Sequence, residues 1–404
     1  MATQTVNPPT VDGYRDSDDE FSSDDQEFHV DERSGRSWPT KILHNVIQPI
    51  KPKLVEIGKV SSADPTRCKP SRGARKRCDI QENKIENIWT YDMTPKSSDG
   101  EKRSYARRIF YFAGGGWQAP PSGKDAIFLP GALLTTTGQH WTFCAEMINR
   151  LQDTRLTLVS YPLAPKDPVQ DAFPAICKTY NVLLKESSDL GERVIVAGDS
   201  SGGNIALCLV TWTMRDQDVQ VVRPPSAILA ITATTDLRHN HPDIKEVDKV
   251  DPILSESSIN ETAGAWAPGH SDLDWSADDP RVSPIHADLG VCIRNNVKIH
   301  GITASHDVLG PEAVEFRERC RKEGVDGEWL SWGDQMHCFP LAYKDPELSY
   351  ESSPDTKMPG VPCPECTTAE KEVWVILGHS CPYCGMVIHV SMNSTVSIFN
   401  TVER

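Results

Sequence analysis

Short apolar runs separated by turn-forming residues begin near residue 41 and continue to about residue 343. Residues 85–91 are the first clear strand candidate, and 107–112, aromatic and apolar, are a second that runs directly into three glycines. Further on, Phe143, Met147, Ile148 and Leu151 fall on one stripe of a helix expected over 141–151. Strand 156–160, helix 172–185, strand 193–197, helix 204–215 and strand 227–231 then alternate, and a strand at 297–303, a helix at 311–322 and a strand at 328–332 close the series. Strands spaced by helices imply an α/β fold with a mostly parallel central sheet and helices on both faces. No internal repeat interrupts the series.

The ends differ in kind. Between residues 12 and 32 stand ten carboxylates against Arg15 alone, too little apolar surface to order the chain, so 1–40 reads as a disordered acidic tail. Residues 41–343 form the expected domain, with the N-terminal sequence a candidate cap over its site. Residues 344–404 remain as a C-terminal extension carrying Cys363-Pro-Glu-Cys366 and Cys381-Pro-Tyr-Cys384. Their spacing is that of a structural zinc knuckle, and the competing reading is an extension without a metal.

Charge and cysteine usage narrow the function classes. A formal net charge of -15 repels phosphate backbones and anionic lipid surfaces, which speaks against nucleic-acid and membrane partners. Arg67, Lys69, Arg72, Arg75, Lys76 and Arg77 are the one basic cluster, read as a solvated loop or as an anion-binding or nuclear-import patch. No apolar run approaches the roughly 18 to 20 residues a spanning helix needs, and the first 40 residues show no secretory h-region, so a cytoplasmic or other reducing location is expected. Of the 12 cysteines, the eight outside the tail pairs follow no disulfide framework and read as free thiols, most of them buried.

Chemistry is concentrated at 194–206, where an apolar strand, the turn Gly198-Asp199-Ser200-Ser201-Gly202 and an apolar helix follow one another. Such a turn lifts Ser200 to the C-terminal edge of the sheet, and side chains at 198 or 202 would collide with the elements it joins. Upstream, Ala113-Gly114-Gly115-Gly116-Trp117 follows a strand, and successive glycines let backbone N–H groups approach a ligand. A nucleophilic serine needs a base, and an oxyanion needs preorganised donors.

With Tyr161-Pro-Leu-Ala-Pro165 and Gly198-Asp-Ser-Ser-Gly-Gly203, the chain resembles the hormone-sensitive-lipase-like branch of the α/β-hydrolases, its fungal members in particular, over roughly residues 85–343. The resemblance implies an esterase or lipase with Ser200 as nucleophile, Asp307 as orienting acid and His337, followed by Cys338-Phe339, as base, in the family's order. It also implies oxyanion donors at Gly114, Gly115 and Ser201, with no metal and no cofactor. Both Asp307 and His337 follow expected strands, at the sheet edge where such folds build their sites. The substrate class implied is a small-molecule ester with a short or medium acyl chain; neither the alcohol nor the oligomeric state is written in the sequence. Acyl transfer with the same triad, and a non-catalytic small-molecule-binding module, are the rival functions.

Two departures from the family pattern stand out. Ala113 occupies the position of the family's usual histidine, which braces the glycine loop. Residues 123–139 are an additional apolar insert, read as a lid, a surface insert or translated intron.

Overall fold

The computed structural model describes residues 28–36, 38–51, 66–96, 103–121, 138–151, 153–215, 223–269 and 274–342, with four two-residue strands beyond. Most of the 123–139 insert and the four tail cysteines lie outside the described residues. The short tail strands pair as Val361–Pro362 with Trp374–Val375 and His389–Val390 with Ile398–Phe399.

Nine strands form one sheet. In chain order they are β1 (His29–Arg33), β2 (Cys78–Ile85), β3 (Ile88–Pro95), β4 (Arg107–Phe112), β5 (Thr154–Ser160), β6 (Arg193–Asp199), β7 (Ala227–Ile231), β8 (Lys298–His306) and β9 (Glu328–Met336). Their spatial order is β1-β9-β8-β7-β6-β4-β5-β3-β2. Pairing is parallel from β1 through β5, and antiparallel between β5 and β3 and between β3 and β2.

Helices cover both faces, as the alternation of elements predicts. They are α1 (Trp38–Ile47), α2 (Arg72–Arg77), α3 (Gln139–Arg150), α4 (Val169–Asp189), α5 (Ser201–Arg215), α6 (Ile244–Asp248), α7 (Glu256–Trp266), α8 (Gly290–Arg294), α9 (Gly310–Glu323) and α10 (Phe339–Ala342). Successive strand residues feed opposite cores, because side chains alternate across a pleated sheet. Phe110, Phe112, Val194, Val196 and Ile228 join one cluster with α4, α5 and α9, whereas Ile109, Tyr111, Ile195, Ala197 and Ile231 join a second with Trp141, Cys144 and Ile148 of α3. All eight cysteines described are free thiols, six of them buried. No described helix is long and apolar enough to cross a membrane.

Three expectations need correction. Part of the expected 1–40 tail is ordered: β1 pairs in parallel with β9, from His29 opposite Glu328 to Arg33 opposite Trp332, and α1 begins at Trp38. Indole Nε1 of Trp332 also donates to the carbonyl of Gly35 at 3.1 Å. The expected strand 85–91 instead spans a hairpin turn, since Glu86 and Asn87 take positive φ of 48° and 68° and Ile85 pairs with Ile88. Part of the basic cluster, read as loop, is α2, whose first turn is capped by the Ser71 hydroxyl accepting the Ala74 N–H at 3.1 Å.

Candidate active site

The register of the sheet brings the marked residues to one edge. Phe112 lies opposite Gly198, Asp199 opposite Ile231, and Ile231 opposite Ile302, so the chain leaves β4, β6, β7 and β8 side by side. The glycine loop follows β4, Ser200 follows β6, Asp307 follows β8 and His337 follows β9.

Ser200 occupies the turn between β6 and α5 with φ of +54°, a strained conformation for a residue bearing a Cβ. Its N–H donates to the Ile231 carbonyl at 2.9 Å, and its carbonyl accepts the Asn204 N–H at 3.1 Å, which anchors the turn to β7 and α5. The flanking glycines are sterically required: a Cβ at 198 would stand 2.3 Å from the Gly202 carbonyl oxygen, and one at 202 would stand 2.1 Å from that of Phe112.

Asp307 and His337, thirty residues apart, meet directly, with Nδ1 of His337 2.8 Å from Oδ2 of Asp307. Both side chains are buried. Oδ1 of Asp307 accepts the Leu309 N–H at 3.0 Å, so the carboxylate is held from both sides. Burial alone would lower the His337 pKa, but the Asp307 charge, with smaller contributions from Cys338, outweighs it and leaves the imidazole well above its ordinary value. The Cys338 thiol lies 3.5 Å from Oδ2 of Asp199 and 3.3 Å from the Thr232 hydroxyl. The neighbour of His337 thus touches the neighbour of Ser200, which ties the two loops together.

Asp251 lies behind the acid. It is fully buried, with Oδ2 accepting the Val308 N–H at 2.9 Å and Oδ1 accepting those of Ile253 and Leu254 at 2.7 and 2.9 Å. Burial first, and then the charge of Asp307, push its carboxyl up to about 7.

The expected oxyanion donors separate into two groups. The Gly114 N–H donates to Oδ1 of Asp199 at 3.1 Å, so it has an internal acceptor. Gly115 follows it with φ of +140°, and the Gly115 carbonyl, accepting the N–H groups of Gln118 and Ala119 at 3.1 Å each, turns the chain over. Ser201 opens α5, where an N–H has no intrahelical acceptor. Trp117 at the loop's end stacks on Trp266 of α7 with centroids 5.6 Å apart, which seats the loop under that helix.

In the sequence Asp199 stands out only as part of the turn around Ser200, and His140 not at all. Buried Asp199 also accepts the Tyr111 hydroxyl at 2.7 Å and lies 3.2 Å from Nε2 of His140. Its burial raises the carboxyl pKa, but His140 and the hydrogen bonds from His140, Tyr111 and Gly114 outweigh that and hold it below the usual range. Nothing local in the sequence marks His140, which follows the insert by one residue. Among the described residues no group of three or more His, Cys, Asp or Glu side chains is placed to hold a metal ion.

Residues 127–341 match a family described as alpha/beta hydrolase fold. An esterase of Acinetobacter venetianus is 28% identical over 222 residues, covering 55% of this chain and 64% of its own length, so the match spans less than two thirds of that relative. Mouse hormone-sensitive lipase is 32% identical over 169 residues, covering 40% of this chain and 22% of that protein. Among solved structures, carboxyl esterase 2 from the mycorrhizal fungus Tuber melanosporum superposes with a TM-score of 0.60 at 18% identity, covering 78% of this chain and 95% of that one. At that identity the likeness shows the fold.

Proposed function

Because the chain belongs to the alpha/beta hydrolase fold family, we propose that it hydrolyses carboxylic esters of small molecules through an acyl-enzyme on Ser200. The observation that carries this reading is the 2.8 Å contact between His337 Nδ1 and Asp307 Oδ2 in a loop that also touches Asp199, next to Ser200. With Nδ1–H donated to the carboxylate, Nε2 carries the lone pair that takes the Ser200 Oγ proton. The Ser200 oxygen attacks the ester carbonyl, and the N–H groups of Gly115 and Ser201 receive the negative charge that develops on the carbonyl oxygen. Collapse expels the alcohol, which takes its proton from His337. Water then attacks the acyl-enzyme by the same route and releases the acid.

No metal or cofactor enters these steps. Short or medium acyl chains are the substrate class that the family resemblance supports, and a cytoplasmic setting suits the eight free thiols among the described residues. Acyl transfer needs the same three side chains. A binding-only module needs neither a nucleophile nor a base.

Ser200→Ala and His337→Ala are each expected to reduce turnover of an activated ester by about four orders of magnitude, and the double variant by little more, because nucleophile and base act as one unit. A folded Ser200→Ala protein that kept more than a few per cent of turnover would remove Ser200 from the mechanism. Labelling of Ser200 by a fluorophosphonate, with product formed in the absence of an added acceptor alcohol, separates hydrolysis from transfer and from binding alone.

A further inference from the structure

Asp199 adjoins the proposed nucleophile, takes no part in the triad and is 1% exposed. A buried carboxylate is tolerated only when donors surround it. Here three segments supply four donors: Tyr111 of β4 and the Gly114 N–H of the loop that follows it at Oδ1, and His140 of α3 and the Cys338 thiol at Oδ2. At Oδ2 the two donors are unequal, because a thiol at 3.5 Å is a weak donor and an imidazole N–H at 3.2 Å is a strong one. An ionised carboxylate only accepts, which makes Nε2 the protonated nitrogen of His140.

The carboxylate is in close contact with the glycine loop. A Cβ on Gly114 would stand 2.4 Å from Oδ2 of Asp199 and 2.9 Å from Cβ of Ser200, so the loop lies against both residues with no room for a side chain, and the Gly114 N–H joins it to the carboxylate. Ala113 at the loop's start carries no polar side chain with which to hold it, although its carbonyl accepts the Tyr161 hydroxyl at 2.8 Å. Behind His140, Trp141, Cys144 and Ile148 of α3 pack with Tyr111 and Ala113 in one buried cluster, which gives the imidazole a rigid base.

We propose that His140 is a positioning residue for the oxyanion loop: its Nε2–H holds the Asp199 carboxylate, and the carboxylate holds Gly114 so that the next N–H, that of Gly115, is aimed at the reacting oxygen. This rests on the ester-hydrolysis reading and adds to it a residue from an element that carries none of the triad. His140 touches neither substrate nor nucleophile in this role.

The test compares His140→Met, similar in bulk and without a donor, with His140→Gln, whose amide nitrogen reaches the place of Nε2. For the Met variant kcat on a short activated ester is expected to fall about 10- to 100-fold, with KM changed less than about threefold, somewhat below the loss of an oxyanion donor itself. Affinity for an alkyl boronic acid, whose adduct on the serine places an oxygen in the oxyanion position, should weaken in the same proportion. The Gln variant should recover kcat to within about threefold of wild type. Undiminished kcat in a Met variant of wild-type melting temperature overturns the proposal, as does an equal loss in the Gln variant or an unchanged boronic acid affinity. Should the Met variant not fold, His140→Asn, polar but too short to reach Asp199, replaces it with the same expected loss; if that also fails to fold, His140 is structural and the proposal falls. Ser200→Ala is assayed alongside. Turnover surviving there removes the ester-hydrolysis reading itself, whereas an inactive Ser200→Ala beside a fully active Met variant removes only the role of His140.

Discussion

A carboxylate 2.8 Å from an imidazole nitrogen stabilises the protonated ring, while burial disfavours it, and for His337 the carboxylate prevails. The direction fixes a pH dependence. A general base works in its neutral form, so kcat/KM should rise with pH as His337 loses its proton, with the inflection above the ordinary value of about 6.5. Asp307→Asn removes the charge that raises the pKa and leaves the burial that lowers it. Its inflection is therefore expected at lower pH than in wild type, together with a roughly 10³-fold loss of kcat from the misdirected ring. Rate profiles of the two proteins decide the matter: an inflection that stays in place in the Asn variant would belong to another group. The same local scale explains why Gly198 and Gly202 stand out in the sequence and the contact of Gly114 with Asp199 does not. A steric need for glycine shows in a strand-turn-helix pattern, but the acceptor an N–H finds does not.

Among the elements, β1 departs most from its sequence signal. Asp31, Glu32 and Arg33 make three of its five residues charged, as suits a strand on the open edge of a sheet, and the acidic run before it invites its assignment to a tail. Its pairing partner, β9, lies almost 300 residues away and ends one residue before His337. A chain beginning at residue 37 would lack β1 and the Gly35 carbonyl that accepts the Trp332 and Gln335 side chains, whereas one beginning at residue 28 keeps them. The shorter chain is expected to melt roughly 3 °C below the longer one, as for a loss of about 2 kcal/mol in a domain of this size, and to hydrolyse esters more slowly because β9 positions the base. Differential scanning calorimetry with an ester assay on both chains checks this; equal melting temperatures would make β1 an ornament of the edge. The hairpin at Glu86 and Asn87 was missed for a related reason, since Ile85 and Ile88 flank the turn and an apolar run over both conceals it.

Acid sensitivity of the whole molecule has a definable source on the β1 side. His44 of α1 is buried, with its ring centroid 6.2 Å from that of His306 and Nδ1 2.6 Å from Nη1 of Arg36. Desolvation first, then Arg36 and His306, lower its pKa to about 4 against the opposing pull of Asp334. The unfolded chain binds this proton near pH 6.5 and the folded chain only near 4, so stability is full above 6.5 and declines as pH falls through that interval. The total is about 3 kcal/mol. A folded His44→Gln protein lacks this titration, and its unfolding free energy should fall less than that of wild type, by about that amount, between pH 7 and pH 4. Denaturant titrations at both pH values test it, and parallel losses in the two proteins would refute the assignment.

What the sequence by itself determined is local. The alternation of strands and helices, the mostly parallel sheet and the strand-turn-helix around Ser200 each follow from periodicity or steric demand within about 20 residues. Those features were enough to imply an α/β-hydrolase and to mark Ser200; Asp307 and His337 were reachable only through the family's order of motifs. Tertiary structure decided the rest: that Asp307 and His337 meet, that Gly114 faces Asp199, that His140 and Cys338 close on the same carboxylate, and that β1 completes the sheet. Each of these is a contact between segments 30 to 300 residues apart, governed by strand order and register. Neighbouring residues carry no record of which distant donor a buried carboxylate will find.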